Sequence, residues 1–182
     1  MKRQYEISIS WVAFPLHPDT PDEGLSLQDL FAGKEIDMKA MLDRLKRVAR
    51  QEGLPFGDRD RTYNSRLAQE LGKWAESNGR GDEFHTAVFR AYFAGGENIG
   101  KIPVLVEIAD TVNLPAMAAE KVLKSRSFKE AVDRDWSRSY ERGVRAVPTF
   151  MINGQTMVGA QPYESLEQLM RDNKVMRRRP PS

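Results

Sequence analysis

Val147-Pro148-Thr149-Phe150-Met151-Ile152-Asn153-Gly154-Gln155-Thr156-Met157-Val158, closed by Gly159-Ala160-Gln161-Pro162, is the stretch on which the fold turns. Its first half is short and apolar. Asn153-Gly154 then supplies a two-residue turn, because both central positions of a type I′ turn need positive φ and Asn-Gly reaches it cheaply. Gln155–Val158 returns, so the stretch predicts a hairpin with strands near 148–153 and 155–159. Pro148 removes one backbone donor, which places it at the head of a strand. After the hairpin, Leu166, Leu169 and Met170 share one face of a helix that begins near Tyr163.

Working outward, Tyr5-Glu6-Ile7-Ser8-Ile9-Ser10-Trp11 alternates apolar and polar side chains and predicts a strand near 5–13. Phe14-Pro15-Leu16-His17-Pro18-Asp19-Thr20-Pro21 is a proline-stiffened connector ending in Asp22-Glu23-Gly24. From about Leu27 to Arg142 the period changes to that of helices. Met38, Met41, Leu42, Leu45, Val48 and Ala49 form one stripe, stopped by Gly53-Leu54-Pro55. Leu67, Leu71, Trp74 and Ala75 form a second, stopped by Asn78-Gly79. Phe84, Val88, Phe89, Tyr92 and Phe93 form a third, stopped by Gly95-Gly96. Further helices are expected over Val104–Val112, Ala116–Leu123 and about Phe128–Arg142. No strand is expected inside the 27–142 block.

The 182 residues include 28 basic and 26 acidic ones, a net charge of +2 that gives no general case for a nucleic-acid partner. No apolar run approaches the ~20 residues of a membrane span, and the start lacks the apolar stretch of a signal peptide, so the expectation is a cytoplasmic protein with no membrane partner. The chain contains no cysteine, which excludes disulfides, thiolate zinc sites and a thiol nucleophile within these residues. His17 and His85, read as a loop and a helix-surface residue, lie in no nucleophile motif, and no metal site is expected. Phosphate-binding glycine loops are missing as well.

The order of strand, helical block, proline-headed hairpin and helix resembles the DsbA family of thioredoxin-fold proteins, in its FrnE-like branch, itself similar to 2-hydroxychromene-2-carboxylate isomerases and kappa-class glutathione transferases. The resemblance is carried by Phe14–Pro21 with Gly24, Tyr63-Asn64-Ser65-Arg66-Leu67-Ala68, Val88–Phe93, Asn98-Ile99-Gly100, Gly143–Phe150 and Gly159-Ala160-Gln161-Pro162. It implies an α/β thioredoxin-like fold with a large inserted all-helical domain: 1–26 with 143–182 as a discontinuous, incomplete thioredoxin-like domain, and 27–142 as the insertion. Members of that family begin with a strand and a helix bearing Cys-x-x-Cys or a serine, and both elements are missing here. In the family's sheet that strand lies between the Tyr5–Trp11 strand and the hairpin, and unpaired backbone groups there cost ~1–3 kcal/mol each. The favoured expectation is an upstream segment belonging with this chain. The alternatives are direct pairing of the two remaining parts, or pairing with another chain as a homo-oligomer.

For function, the resemblance implies the thiol–disulfide oxidoreductase and isomerase lineage, redox-inactive as written because no cysteine is present, so no catalytic residue is assigned. Two alternatives stand beside it: a non-catalytic module for peptide binding or self-association, and a glutathione-dependent isomerase or transferase relative lacking its serine. The substrate-binding residues implied are Val147, Pro148, Thr149 and Asn64. Pro148 is expected to be a cis-proline with the Val147 backbone offered to a peptide or small thiol, the alternative being a trans proline opening an edge strand. Asn64 would line the groove, but an asparagine before a helix also caps it. No resident cofactor is expected, with glutathione the one small ligand the resemblance admits. Trp11, Trp74 and Trp136 read as core or interface, and Arg177-Arg178-Arg179 as a solvated tail.

Overall fold

The alternating segment Tyr5–Trp11 forms no strand. In the computed structural model, which describes residues 1–178, only Tyr5 makes a β-bridge, to Arg177. Glu6 N–H donates to Met176 O, and Arg178 N–H to Gln4 O. Alternation determines which face a segment would bury, but a strand exists only where a neighbour pairs with it. Past Ile7 no such neighbour is found among the described residues.

The elements are β1 (Leu25–Ser26), α1 (Leu27–Leu30), α2 (Met38–Gln51), β2 (Arg61–Thr62), α3 (Arg66–Ser77), α4 (Gly81–Phe93), α5 (Ile102–Thr111), α6 (Ala116–Ser125), α7 (Lys129–Glu141), β3 (Thr149–Ile152), β4 (Gln155–Val158) and α8 (Tyr163–Asp172). The expected all-helical block is therefore interrupted by β2, which pairs antiparallel with β1, Leu25 opposite Thr62 and Ser26 opposite Arg61. Two residues are too few to show a period, so hydrophobic patterning does not reveal the pair. It forms around Gly24, whose φ is +78°. A Cβ there would stand 2.4 Å from the Tyr63 ring and 2.6 Å from Thr62 O, so only glycine lets the chain pass.

Two units emerge: Met1–Leu16 with the chain from Asp135 on, and His17–Arg134. The boundaries fall at 16/17 and 134/135, against 26/27 and 142/143 in the organisation that the resemblance implies. The helical unit buries Leu71, Ala75, Phe84, Leu105, Ala109, Ala119 and Leu123 in one core, contributed by α3 to α6. At α3, Glu70 is buried and held by two arginines. Arg66 Nε lies 2.6 Å from Oε1, and Arg126 meets both carboxylate oxygens at 2.7 Å. Arg66 also reaches Asp133 Oδ1 and Lys129 O, tying α3 to the start of α7.

The other unit is built on a smaller core of Tyr5, Leu169 and Met170, against which Met1, Ile7, Ile152, Met157 and Val175 pack. Tyr5 Oη donates to Glu167 at 3.1 Å, and the Arg177 guanidinium stands 5.5 Å from the Tyr5 ring centroid. Arg177 also bonds Glu167, and Arg178 Nε donates to Tyr5 O. Arg177 and Arg178 are exposed, as the solvated-tail expectation has it, but they are tied down, Arg177 by Tyr5 and Glu167 and Arg178 by the Tyr5 carbonyl. Arg179 lies outside the described residues.

Candidate functional site

The hairpin forms as its turn residues dictate, with Asn153 at φ +47° and Gly154 at φ +85°. Thr149 stands opposite Val158, Phe150 opposite Met157, Met151 opposite Thr156 and Ile152 opposite Gln155. A two-residue turn makes Ile152 and Gln155 a hydrogen-bonded pair, and such pairs recur at every second position. Gly159 N–H donates to Pro148 O at 2.7 Å, in step with that register. The backbone groups of Phe150 and Ile152 therefore face β4, while those of Thr149 and Met151 face the opposite side. β3 pairs only with β4 among the described residues, so this outer side is an open edge.

Val147 and Pro148 lead into that edge. The Val147–Pro148 peptide is cis, and the Val147 side chain is 44% exposed. Thr149 Oγ1 donates to Ala146 O at 2.6 Å, so the hydroxyl is spent on the local turn and the residue offers its backbone outward. Met151 and Arg142 complete the edge: Arg142 Nη1 lies 3.1 Å from Met151 Sδ, next to the open backbone. Neither residue was singled out from sequence. The Asn-Gly turn alone could have flagged Met151, since counting back in twos from Ile152 leaves Thr149 and Met151 facing out; nothing in the sequence pointed to Arg142.

Asn64 sits in the helical unit, separate from the hairpin's unit. Its amide donates to Pro18 O at 3.1 Å and Thr20 O at 2.9 Å, and its oxygen accepts from Arg66 N–H at 2.9 Å. All three of those bonds are internal. Asn64 pins the proline-rich connector to the entry of α3, a role that a helix-entry asparagine suits. In the same connector, burial and then the nearby Lys34 hold the His17 imidazole below its ordinary pKa. His85 lies on α4 with Nε2 3.2 Å from Glu76 Oε1. No group of three or more His, Cys, Asp or Glu side chains able to hold a metal ion forms among the described residues.

Known proteins resemble this arrangement. The sequence model of the DSBA-like thioredoxin domain matches residues 1–171. A Streptomyces coelicolor protein described as a probable DsbA oxidoreductase superposes with a TM-score of 0.82 at 25% identity, over 94% of this chain and 76% of that one. A 2-hydroxychromene-2-carboxylate isomerase superposes with a TM-score of 0.69 at 22% identity, over 83% and 72% of the two chains, and shares the fold. The cytosolic disulfide reductase DsbM of Pseudomonas aeruginosa does so at 0.54 and 20%, over 73% and 76%. YwbO of Bacillus subtilis, an uncharacterised protein, is 30% identical over 109 residues, 59% of this chain. That match spans about half of YwbO, 54% of its length.

Proposed function

This chain belongs to the DSBA-like thioredoxin domain family, and from that premise we propose that it serves thiol–disulfide oxidoreductase or isomerase chemistry by docking an extended peptide or a small thiol such as glutathione. The docking site is the outer edge of β3, entered through Val147 and Pro148, the edge where the resemblance places the family's first strand and where an extended ligand takes that strand's part. Thiol–disulfide exchange proceeds by thiolate attack through a mixed disulfide. None of the 182 residues carries a thiol, so the sulfur atoms of such a reaction come from the ligand or from elsewhere, and these residues position the ligand.

The single observation that carries this reading is the outward backbone of Thr149 and Met151 on an unpaired strand edge. An extended ligand adds to such an edge by main-chain hydrogen bonds, with alternate side chains giving selectivity. Exposed apolar surface at Val147 and Phe150 favours apolar groups in the ligand. A second copy of the chain is the other extended partner that an open edge accepts, and self-association belongs to the same proposal. The cytosolic disulfide reductase among the structural relatives supports a cytoplasmic setting. No helix among the described residues is long and apolar enough to cross a membrane.

Met151→Pro tests the reading. The Met151 N–H faces away from β4, so proline there removes an outward donor while leaving the hairpin's own bonds in place. Binding of a fluorescent, extended, cysteine-containing peptide should weaken about tenfold by anisotropy, the loss of one or two hydrogen bonds at ~0.5–1.5 kcal/mol each. The circular dichroism spectrum should be unchanged, and Met151→Ala should bind nearly as the parent does. Unaltered peptide binding by Met151→Pro would sink the assignment.

A further inference from the structure

Helix α2 stands apart from the helical core. Its fourteen residues bury one side chain, Ala49, and no other helix or strand makes more than slight contact with it among the described residues. A helix this strongly amphipathic ordinarily hides its stripe. Here Met38, Met41 and Leu42 are half-buried, while Leu45 and Val48 remain 42% and 44% exposed. Ile36 before the helix and Leu54 after it extend the exposed apolar surface.

The charge on α2 is one-sided. It carries five basic residues, Lys39, Arg44, Lys46, Arg47 and Arg50, against one acidic residue, Asp43. Lys46 is paired with Asp58 beyond the helix. Lys39, Arg44, Arg47 and Arg50 have no ion pair among the described residues. Exposed aliphatic side chains flanked by unpaired cations are the pattern of a helix that lies in the plane of an anionic lipid surface.

We propose that α2 docks this protein peripherally on anionic membranes, with Leu45 and Val48 entering the headgroup boundary and Arg44 and Arg47, on the flank next to them, reaching lipid phosphates. The expectation of no membrane partner rested on the absence of a spanning run; a helix lying in the interface needs only its stripe and its cations. Charge complementarity selects the lipid over a second copy, because two α2 helices face to face would oppose like charges. Geometry agrees, since the aliphatic side chains protrude from one convex helix and a deformable surface receives them without a shaped groove.

Flotation of the full chain with vesicles tests the proposal. The parent should float with phosphatidylcholine vesicles doped with phosphatidylglycerol and stay behind with pure phosphatidylcholine, and added salt should release it. Leu45→Glu with Val48→Glu should lower the bound fraction about tenfold, as should Arg44→Glu with Arg47→Glu, given the affinity each basic residue adds near such a surface. Asp43→Lys, with an unchanged circular dichroism spectrum, should raise binding a few-fold. Equal flotation of parent and charge-reversed chains overturns the proposal. So does a parent that ignores anionic vesicles while the α2 substitutions dissociate a dimer or release an acidic protein partner.

Discussion

Replacing Glu70 with glutamine should lower the thermal unfolding midpoint at neutral pH by about 10 °C, corresponding to roughly 3 kcal/mol. The carboxylate is buried, and three charge-assisted bonds from Arg66 and Arg126 converge on it. Glutamine keeps the volume but loses the charge, leaving two guanidiniums facing each other across a neutral amide. Removing one partner of a fully buried pair costs ~3–5 kcal/mol, and the lower end applies because the Arg126 side chain is 44% exposed. The pH dependence has a definite sign. Burial alone would raise the Glu70 pKa, but the bonds from Arg126 and then Arg66 outweigh it and hold the carboxyl below its usual range. A depressed carboxyl stabilises the fold above its unfolded value of about 4.3 and loses that contribution as pH falls through the folded value. The gap between parent and Glu70→Gln should be full at pH 7 and close progressively in acid. Unfolding followed by circular dichroism checks both; a gap that widens in acid would contradict the assignment.

Tyr5→Ala should be more damaging still, by about 4 kcal/mol. The ring is the largest buried side chain of the smaller core, whose other buried residues, among those described, are Leu169 and Met170. With so little apolar material, the cavity cannot be refilled from neighbours. The substitution also frees Glu167 and Arg177 from the phenol. Hydrogen exchange on the full chain should show β3, β4 and α8 losing protection together. Tyr5→Phe, which keeps the ring and gives up only the hydroxyl, should cost about 1 kcal/mol and leave that protection largely intact. If Tyr5→Ala leaves exchange in α8 unchanged, the core is not built on this residue.

Local signals carried far where a residue type has one physical use. Asn153-Gly154 specifies a turn, and the turn sets the register of the whole hairpin. Asn78-Gly79 and Gly53-Leu54-Pro55 stop helices because positive φ and a missing N–H end them wherever they occur. Tyr5–Trp11 shows the limit: its alternation is clear, but pairing is a property of two segments and a single segment does not contain it. Likewise Glu70 reads as one more glutamate on a helix until Arg126 approaches from beyond α6. Of the proposed site, the motif names Val147, Pro148 and Thr149 in advance; Asn64 belongs to the helical unit, where its amide bonds are internal. Met151 was hidden in the register, and Arg142 depends on a tertiary approach that no periodicity encodes.

The central claim is that β3 presents its outer backbone to an extended ligand while none of these residues supplies a thiol. Titrating the isotopically labelled chain with an extended cysteine-containing peptide, and separately with reduced glutathione, tests it at single-residue resolution. Saturable amide shifts should be largest at Thr149 and Met151, with a neighbouring response at Val147 and small changes at Phe150 and Ile152, whose N–H groups already serve β4. Shifts centred on the helical unit, or none at the hairpin for either ligand, would contradict it.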